Sequence, residues 1–511
     1  MTVRELLQAV VQKWPQERRP TLLAAGALDV ACTAVTHDSR AVTPGAIFVA
    51  LRGLHVDGVT FAPQAIAAGA AAIVAERSSI GGSAMPADAL AETAVPWMLV
   101  SDSRVALALL AAEFFAHPSR QLKVVGITGT NGKTTTSYLT AAIFEAAGIE
   151  CGVMGTVMYR IGERVVGATR TTPEAPDVQS LLYQMVSEGC GACVMEVSSH
   201  ALALHRVDGM RFAAGVFTNL TRDHLDFHTS MEDYFAAKRR LFEMLPDRAP
   251  AVINADDPRA AALVEVSRNP VTYGIGKPAD VTPGPLSFSL RGLEFEIRAP
   301  QGVVQVRSRL IGRPNVYNIL AAVTTTLSLG VKVDAVEHGL EQLHGVPGRF
   351  EIVSTEGDDV TVVVDYAHTD DALRNLLETA RPIAERKLIT VFGAGGDRDR
   401  TKRPLMGMVA ARLSDVVVIT SDNPRSEDPV RIIEDVNRGA ASETKQSGAE
   451  VMTVVDRREA IERAIARAGA GDVVLIAGKG HERYQEIDGR TLPFDDVAVA
   501  REALEARRVR S

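Results

Sequence analysis

Short apolar runs bounded by glycine, proline and polar residues recur along the chain, and stretches with apolar residues three and four apart lie between them. The runs at 46–51, 97–100, 123–127, 193–197, 213–217 and 251–254 read as strands. Residues 105–115 and 134–147 carry the helical spacing, and the chain itself starts on an amphipathic helix. The apolar stretch 65–74 fits a packed helix leading into a strand. Alternation of apolar and polar residues over 286–307 predicts an antiparallel section, and a helix follows around 318–329. Two glycines and a proline at 345–348 mark a junction. Beyond it, strand-like runs at 360–364, 387–392, 415–419 and 473–476 alternate with helical stretches, the pattern of a doubly wound sheet. Such alternation throughout predicts an α/β chain.

With 511 residues the chain exceeds a single compact core, and the junctions divide it into 1–118, 119–345 and 346–511. A hydrophobic content of 46% lets each block bury a core. The net charge of −8 argues against a nucleic-acid binder, which would show a basic face. The apolar run 65–74 is too short to span a bilayer. Four scattered cysteines do not make a disulfide framework, and Cys190 and Cys193, though spaced as a CxxC pair, read as part of a buried strand. With no signal-peptide core at the N-terminus, these features predict a cytoplasmic protein that binds neither membrane nor nucleic acid; the chain is expected to act as a monomer.

The first chemistry appears after the run 123–127. Gly129-Thr130-Asn131-Gly132-Lys133-Thr134 lies between a predicted strand and a predicted helix. Backbone N–H groups of such a turn wrap phosphates, and the helix N-terminus adds partial positive charge. Lys133 would neutralise terminal phosphates and Thr134 would offer its hydroxyl to Mg²⁺. The general pattern G-x-x-x-x-G-K-[ST] wants glycine where Ile127 stands.

This variant loop resembles that of the Mur ligases and their relative folylpolyglutamate synthetase. Five further segments resemble the same superfamily in the same order: Glu196 to His200, Asn219 to Asp226, Asn315 to Asn318, Gly348 to Glu351, and Asp365 to His368. Finer motifs at Asp38-Ser39-Arg40, Thr171-Thr172-Pro173, Asp422-Asn423-Pro424-Arg425 and Gly478-Lys479-Gly480-His481-Glu482 are similar to the branch that adds meso-diaminopimelate to UDP-N-acetylmuramoyl-L-alanyl-D-glutamate. The resemblance implies an ATP-dependent amide ligase of peptidoglycan synthesis working through an acyl phosphate. It implies a small N-terminal α/β domain for the UDP-sugar, a central P-loop ATPase-like parallel sheet, and a C-terminal Rossmann-like sheet for the amino acid.

The site residues implied are specific. ATP would meet residues 129–134, Asn315, Asn318, Asp365 and His368, although Asn315 and Asn318 also fit plain helix capping. Lys133, Glu196, His224 and Lys238 would be catalytic. Thr134, Glu196, His224 and Lys238 would hold Mg²⁺, with Lys238 converted by CO₂ into a carbamate. The UDP substrate would meet His37, Ser39, Leu54, His55, Val56, Thr171, Thr172, Ser198 and Arg206. Leu204 stands where a glutamine can occur, and Asp370 where a proline is usual.

Diaminopimelate would meet Arg398, Asp422, Asn423, Pro424, Arg425, Gly478 and Glu482. Its distal end carries a carboxylate that lysine lacks. Guanidinium forks at Arg398 and Arg425 suit that carboxylate, and Asp422 and Glu482 suit ammonium groups. Two rivals remain at this point. A folate-polyglutamate ligase would not need the block before the phosphate loop, and a nucleotide-dependent switch would not need Glu196, His224 and Lys238 together.

Overall fold

The computed structural model describes residues 1–14, 16–23, 28–53, 56–80, 95–289 and 291–510. It is an α/β structure in two units. The first comprises Met1–Gly126, Ile149–Ala214 and Met244–Ala249, and the second comprises Ile127–Gly148, Gly215–Glu243 and Pro250–Ser511.

In the first unit, the helix Val3–Gln12 begins on a reciprocal cap: Thr2 accepts from the Glu5 N–H, and Glu5 accepts from the Thr2 N–H. Its buried stripe is Val3, Leu6, Leu7 and Val10. The strands Trp97–Val100, Ala72–Glu76, Ile47–Val49 and Val35–Thr36 lie parallel in that order, with Thr21–Leu23 antiparallel at the edge. Apolar clusters cover both faces, as a parallel sheet requires. Asp102 caps the helix Ser103–Phe114 by accepting from the N–H groups of Arg104 and Val105. The same unit holds the parallel pair Cys151–Met154 and Ala192–Glu196, extended by the antiparallel strands Met158–Ile161 and Arg164–Gly167. Cys190 and Cys193 are buried free thiols, Cys193 within the strand and Cys190 just before it. Burial pushes both up, which suits apolar packing.

The second unit holds the helix Lys133–Ala146, against which the helices Arg313–Ser328 and Val333–Gln342 pack. The strands Ala251–Asn254 and Pro270–Tyr273 are parallel. The antiparallel section is present as Gly292–Ala299 and Gly302–Ser308, with Ser287–Ser289 and Thr282–Pro283 paired to the former. Further along, the parallel strands Thr361–Asp365, Val473–Ala477, Leu388–Phe392, Val416–Ile419 and Glu450–Thr453 form one sheet, with Glu351–Ile352 antiparallel at its edge. The helices Asp370–Ala380, Lys402–Leu413 and Pro429–Ser447 contribute to one apolar cluster, and Arg457–Arg467 and Asp496–Arg510 to the other. Central strands such as Leu388–Phe392 are buried along their whole length. Consequently the polar groups of this sheet collect at strand ends, where the loops 365–369, 393–398, 421–425 and 478–482 emerge.

Among the described residues, no helix is long and apolar enough to cross a membrane.

Candidate functional site

The strand Lys123–Thr128 and the helix Lys133–Ala146 flank the turn that the sequence singles out. Gly129 has φ +147° and Gly132 has φ +85°, conformations that side chains disfavour. Both also need the space: a Cβ at 129 would lie 1.9 Å from Thr218 Oγ1, and one at 132 would lie 2.3 Å from Asn318 Oδ1. The turn is braced from behind. Thr130 N–H donates to the Asn219 carbonyl and Asn131 N–H to Asn219 Oδ1, both at 2.9 Å, and Thr218 Oγ1 donates to the Asn131 carbonyl at 2.6 Å. Lys133 Nζ donates to the carbonyls of Gly129 (3.0 Å) and Thr130 (2.8 Å).

Lys238, on the helix Met231–Glu243, reaches the same loop. Its Nζ donates to the Gly129 carbonyl at 2.7 Å and sits 4.4 Å from the centre of the Tyr234 ring, with the residue 1% exposed. Burial, and then the Lys133 ammonium, push this amine well below its ordinary value, and Asp223 only partly opposes them. A neutral, buried amine is the form that can react with CO₂.

Asp223 faces two imidazoles, with Oδ2 3.4 Å from His224 Nε2 and 3.9 Å from His368 Nε2. Burial disfavours its charge, yet His224, His368 and Lys402 hold it well below the usual carboxylate range. His224 has φ +56°, a left-handed conformation for a non-glycine residue. Arg349 lies across the turn: it donates to Thr134 Oγ1 at 3.0 Å and stacks 4.6 Å from the Tyr366 ring centre. Asn131 Nδ2 donates to Asp371 Oδ2 at 3.0 Å. Asn318 Nδ2 donates to Asn315 Oδ1 at 2.9 Å, so both asparagines belong to the turn's surroundings. Asp365 accepts from the N–H groups of Phe350 and Ala367, shaping its own loop.

A second group of predicted residues converges in the first unit. Glu196 ends the strand Ala192–Glu196 and is 1% exposed. Its two oxygens accept from the N–H (2.8 Å) and hydroxyl (3.0 Å) of Thr156. Thr172 donates to the Glu196 carbonyl at 2.8 Å and accepts from the Ser198 N–H at 3.1 Å, while Thr171 and Thr156 hydroxyls lie 3.1 Å apart. Arg206 donates to the Thr172 carbonyl and pairs with Glu174 at 2.6 Å. Ser198 caps the short helix Ser199–Ala203. Ser39 donates to Gln64 Oε1, His37 lies near enough to Asp177 to oppose the rise that burial gives that carboxyl, and Val56 is exposed. Leu54 and His55 fall outside the described residues.

The third group lies at the strand ends of the last sheet. A Cβ on Gly395 would sit 3.2 Å from Arg425 Nη1 and 3.8 Å from Arg398 Cγ, so two arginines converge there. Arg425, at φ +53°, donates Nη1–H to the Gly396 carbonyl (2.7 Å) and pairs through Nε with Glu486 (2.9 Å). Arg398 is exposed, whereas Asp422, Asn423 and Pro424 are buried. Asn423 Nδ2 donates to Glu482 Oε2 at 2.9 Å. A Cβ on Gly478 would lie 2.8 Å from Asp422 Oδ2.

Hard oxygen atoms suited to a cation stand in each unit: the Glu196 carboxylate, held by Thr156, in the first, and the Thr134 hydroxyl, met by Arg349, in the second. Among the described residues, no group of three or more His, Cys, Asp or Glu side chains is arranged as a metal site.

Three family models cover most of the chain. Residues 127–326 match the Mur ligase middle domain, 348–480 the Mur ligase glutamate ligase domain, and 32–115 the Mur ligase family catalytic domain. The chain belongs to the Mur ligase family. Among its relatives, a UDP-N-acetylmuramoyl-L-alanyl-D-glutamate–2,6-diaminopimelate ligase of Solibacter usitatus is 46% identical over 99% of this chain and 98% of its own. One of the same description from Gloeobacter violaceus is 47% identical over 94% and 96%. A solved structure of that description superposes with a TM-score of 0.67 at 34% identity, covering 99% of both chains. Folylpolyglutamate synthase of Mycobacterium tuberculosis, at a TM-score of 0.60 and 17% identity over 80% of this chain and 94% of its own, shares the fold.

Within this Mur ligase, several residues at the three groups are not marked by sequence pattern as site residues. Asn219 and Arg349 lie inside motifs already noted, and Lys479 lies between the two flexible glycines of 478–482. Thr156 has no such flag, because nothing local distinguishes it from any strand-end threonine.

Proposed function

We propose that this chain is an ATP-dependent ligase that adds meso-diaminopimelate to UDP-N-acetylmuramoyl-L-alanyl-D-glutamate, in the cytoplasmic synthesis of peptidoglycan precursors. In this reading residues 1–118, 119–345 and 346–511 serve the UDP-sugar, ATP and amino acid respectively, and the chain acts as a monomer. A carboxylate oxygen of the dipeptide takes the γ-phosphoryl group of ATP, ADP leaves, and the amine of the diamino acid attacks the acyl carbon. The carbon–nitrogen bond forms as the bond to phosphate breaks, and the amine loses its proton.

Lys133 leaves the Gly129 and Thr130 carbonyls for the phosphates, and the N–H groups of residues 132–134 at the helix start donate to phosphate oxygens. Asn315, Asn318, Asp365 and His368 line the nucleotide. Thr171, Thr172, Ser198, Arg206, His37, Ser39, Leu54, His55 and Val56 are assigned to the UDP substrate, as hydroxyls and a guanidinium suit its anionic oxygens. Thr134, His224 and Lys238 as its carbamate, and separately Glu196, are proposed to hold Mg²⁺, which when bound neutralises phosphate charge that would repel the substrate carboxylate.

The choice of amino acid is carried by one observation: the Arg425 guanidinium and the aliphatic stem of Arg398 both approach Gly395, while the acids Asp422 and Glu482 flank Asn423. A lysine side chain offers these arginines no carboxylate, so the site favours the diamino acid that does. The test is phosphate release by the purified chain with ATP and UDP-muramoyl-dipeptide, comparing meso-diaminopimelate, lysine and glutamate. Release with diaminopimelate alone is expected, and equal use of lysine refutes the assignment.

A further inference from the structure

Lys479 follows the strand Val473–Ala477, in a turn between Gly478 (φ +117°) and Gly480 (φ +55°). It is fully buried, with its ammonium among the residues of the third group. Nζ donates to Asn423 Oδ1 at 2.8 Å and lies 3.3 Å from Asp422 Oδ1, 3.6 Å from Glu482 Oε2 and 5.7 Å from the Tyr484 ring centre. A cation without solvent is costly to place, and it persists where its partners need it.

We infer that Lys479 is a positioning residue: it holds Asp422, Asn423 and Glu482 in the arrangement that receives an ammonium group of the incoming diamino acid. This rests on the reading above. The amide of Asn423 is fixed at both ends. Its Oδ1 accepts from Lys479 and from the Glu486 N–H (3.0 Å), so its Nδ2 must point to Glu482 Oε2. Among the described residues Glu482 Oε1 then keeps a single 3.5 Å contact, with the Tyr366 hydroxyl, and is the oxygen left for the substrate.

The charge matters as much as the geometry. Two acids around one pocket repel, and without a cation one of them takes a proton. A protonated Glu482 presents a hydrogen to an ammonium that has only hydrogens to offer. Glu482 is faced by Asp422, Lys479, Arg425, Arg457, Tyr366 and Tyr484. Burial and then Asp422 raise it, and Lys479 is the first of the groups that oppose the rise.

The test uses full-length Lys479→Met and Lys479→Gln, the latter keeping a hydrogen bond to Asn423 if the methionine packs poorly. Steady-state kinetics are measured from pH 6 to 9 against both meso-diaminopimelate and ATP. Each variant is expected to raise KM for the diamino acid about tenfold or more, as losing a partner of a buried charge does, with KM for ATP unchanged. The acid limb of the KM profile moves to higher pH, because Glu482 takes its proton sooner. Glu482→Gln removes that limb, and in the Lys479→Gln background it adds little further. An unchanged KM for the diamino acid, or equal changes for both substrates with no movement of the acid limb, overturns the inference. A wild-type enzyme that refuses diaminopimelate overturns the functional reading and this one with it. A wild type that accepts it beside an unaffected variant overturns this one alone.

Discussion

Replacing Lys238 by methionine separates what this residue costs from what it does. The side chain is fully buried, with one hydrogen bond to Gly129 and Lys133 nearby, and its amine is held well below its ordinary value by burial first and by Lys133 second. In the unfolded chain a lysine binds its proton up to about pH 10.4. Between the lowered folded value and that pH, the unfolded chain binds one more proton than the folded one. Stability therefore rises with pH across this window, by about 1.4 kcal/mol per pH unit. Methionine fills similar space and has no proton to lose, so Lys238→Met lacks this slope. At roughly 2 °C per kcal/mol, the low end for large domains, the melting temperature of the wild type should gain about 3 °C per pH unit on the variant. The assay is thermal unfolding of both proteins from pH 7 to 9.5 in buffers stripped of CO₂, since a carbamate would restore a charge. Ligase activity is measured in parallel, and it should be lost in the variant without rescue by bicarbonate. A constant difference in melting temperature refutes the buried-amine argument, and full activity refutes the functional one.

Other expected outcomes follow the same logic. Arg457 and Asp496 form a fully buried pair at 2.7 Å, and the arginine also donates to the Ser421 and Ala477 carbonyls. Asp496→Asn should cost about 3–5 kcal/mol, read as a large fall in melting temperature, and a fall under two degrees contradicts it. Arg425→Lys loses a fork already committed to Gly396 and Glu486, so KM for diaminopimelate should rise about tenfold or more while KM for ATP holds. Unchanged KM for the diamino acid counts against its role. Glu196→Gln keeps an acceptor for Thr156 but removes the charge, so kcat should fall about a hundredfold or more, with dipeptide binding measured by calorimetry retained. Loss of binding instead of turnover points to a structural role.

Much of this was legible in the chain because periodicity and glycine spacing are local signals. Trp97–Val100 and Ala251–Asn254 match the expected strands, and the hairpin expected over 286–307 is present. The helix Arg313–Ser328 starts five residues before the expected 318, because Gly312 at φ +91° stops the backbone there and the following residues continue the helix without a polar cap. The strands Cys151–Met154, Met158–Ile161 and Arg164–Gly167 were not anticipated, since the last is exposed along its length and carries no apolar alternation. At the sites, Lys133 and Glu196 announce themselves by motif. Lys238 does not: its helix reads as a surface helix, and only the tertiary fold buries that amine against Gly129. Lys479 and Thr156 act on residues 56 and 40 positions away, a distance no local pattern encodes.

The chain passes between the two units five times, at 126, 148, 214, 243 and 249. The strands Lys123–Thr128 and Ala214–Phe217 each carry one of those passages in their own backbone. During synthesis the first unit is therefore incomplete until residue 249 has emerged, and the second until the C-terminus has. At about 5–20 residues per second, buried segments such as Ala192–Glu196 wait several seconds or more for the rest of their unit. The ligase is thus a poor subject for dissection at any single boundary, and its yield in the cell should respond more to the pace of translation and to helper proteins than that of a chain whose units follow one another in sequence.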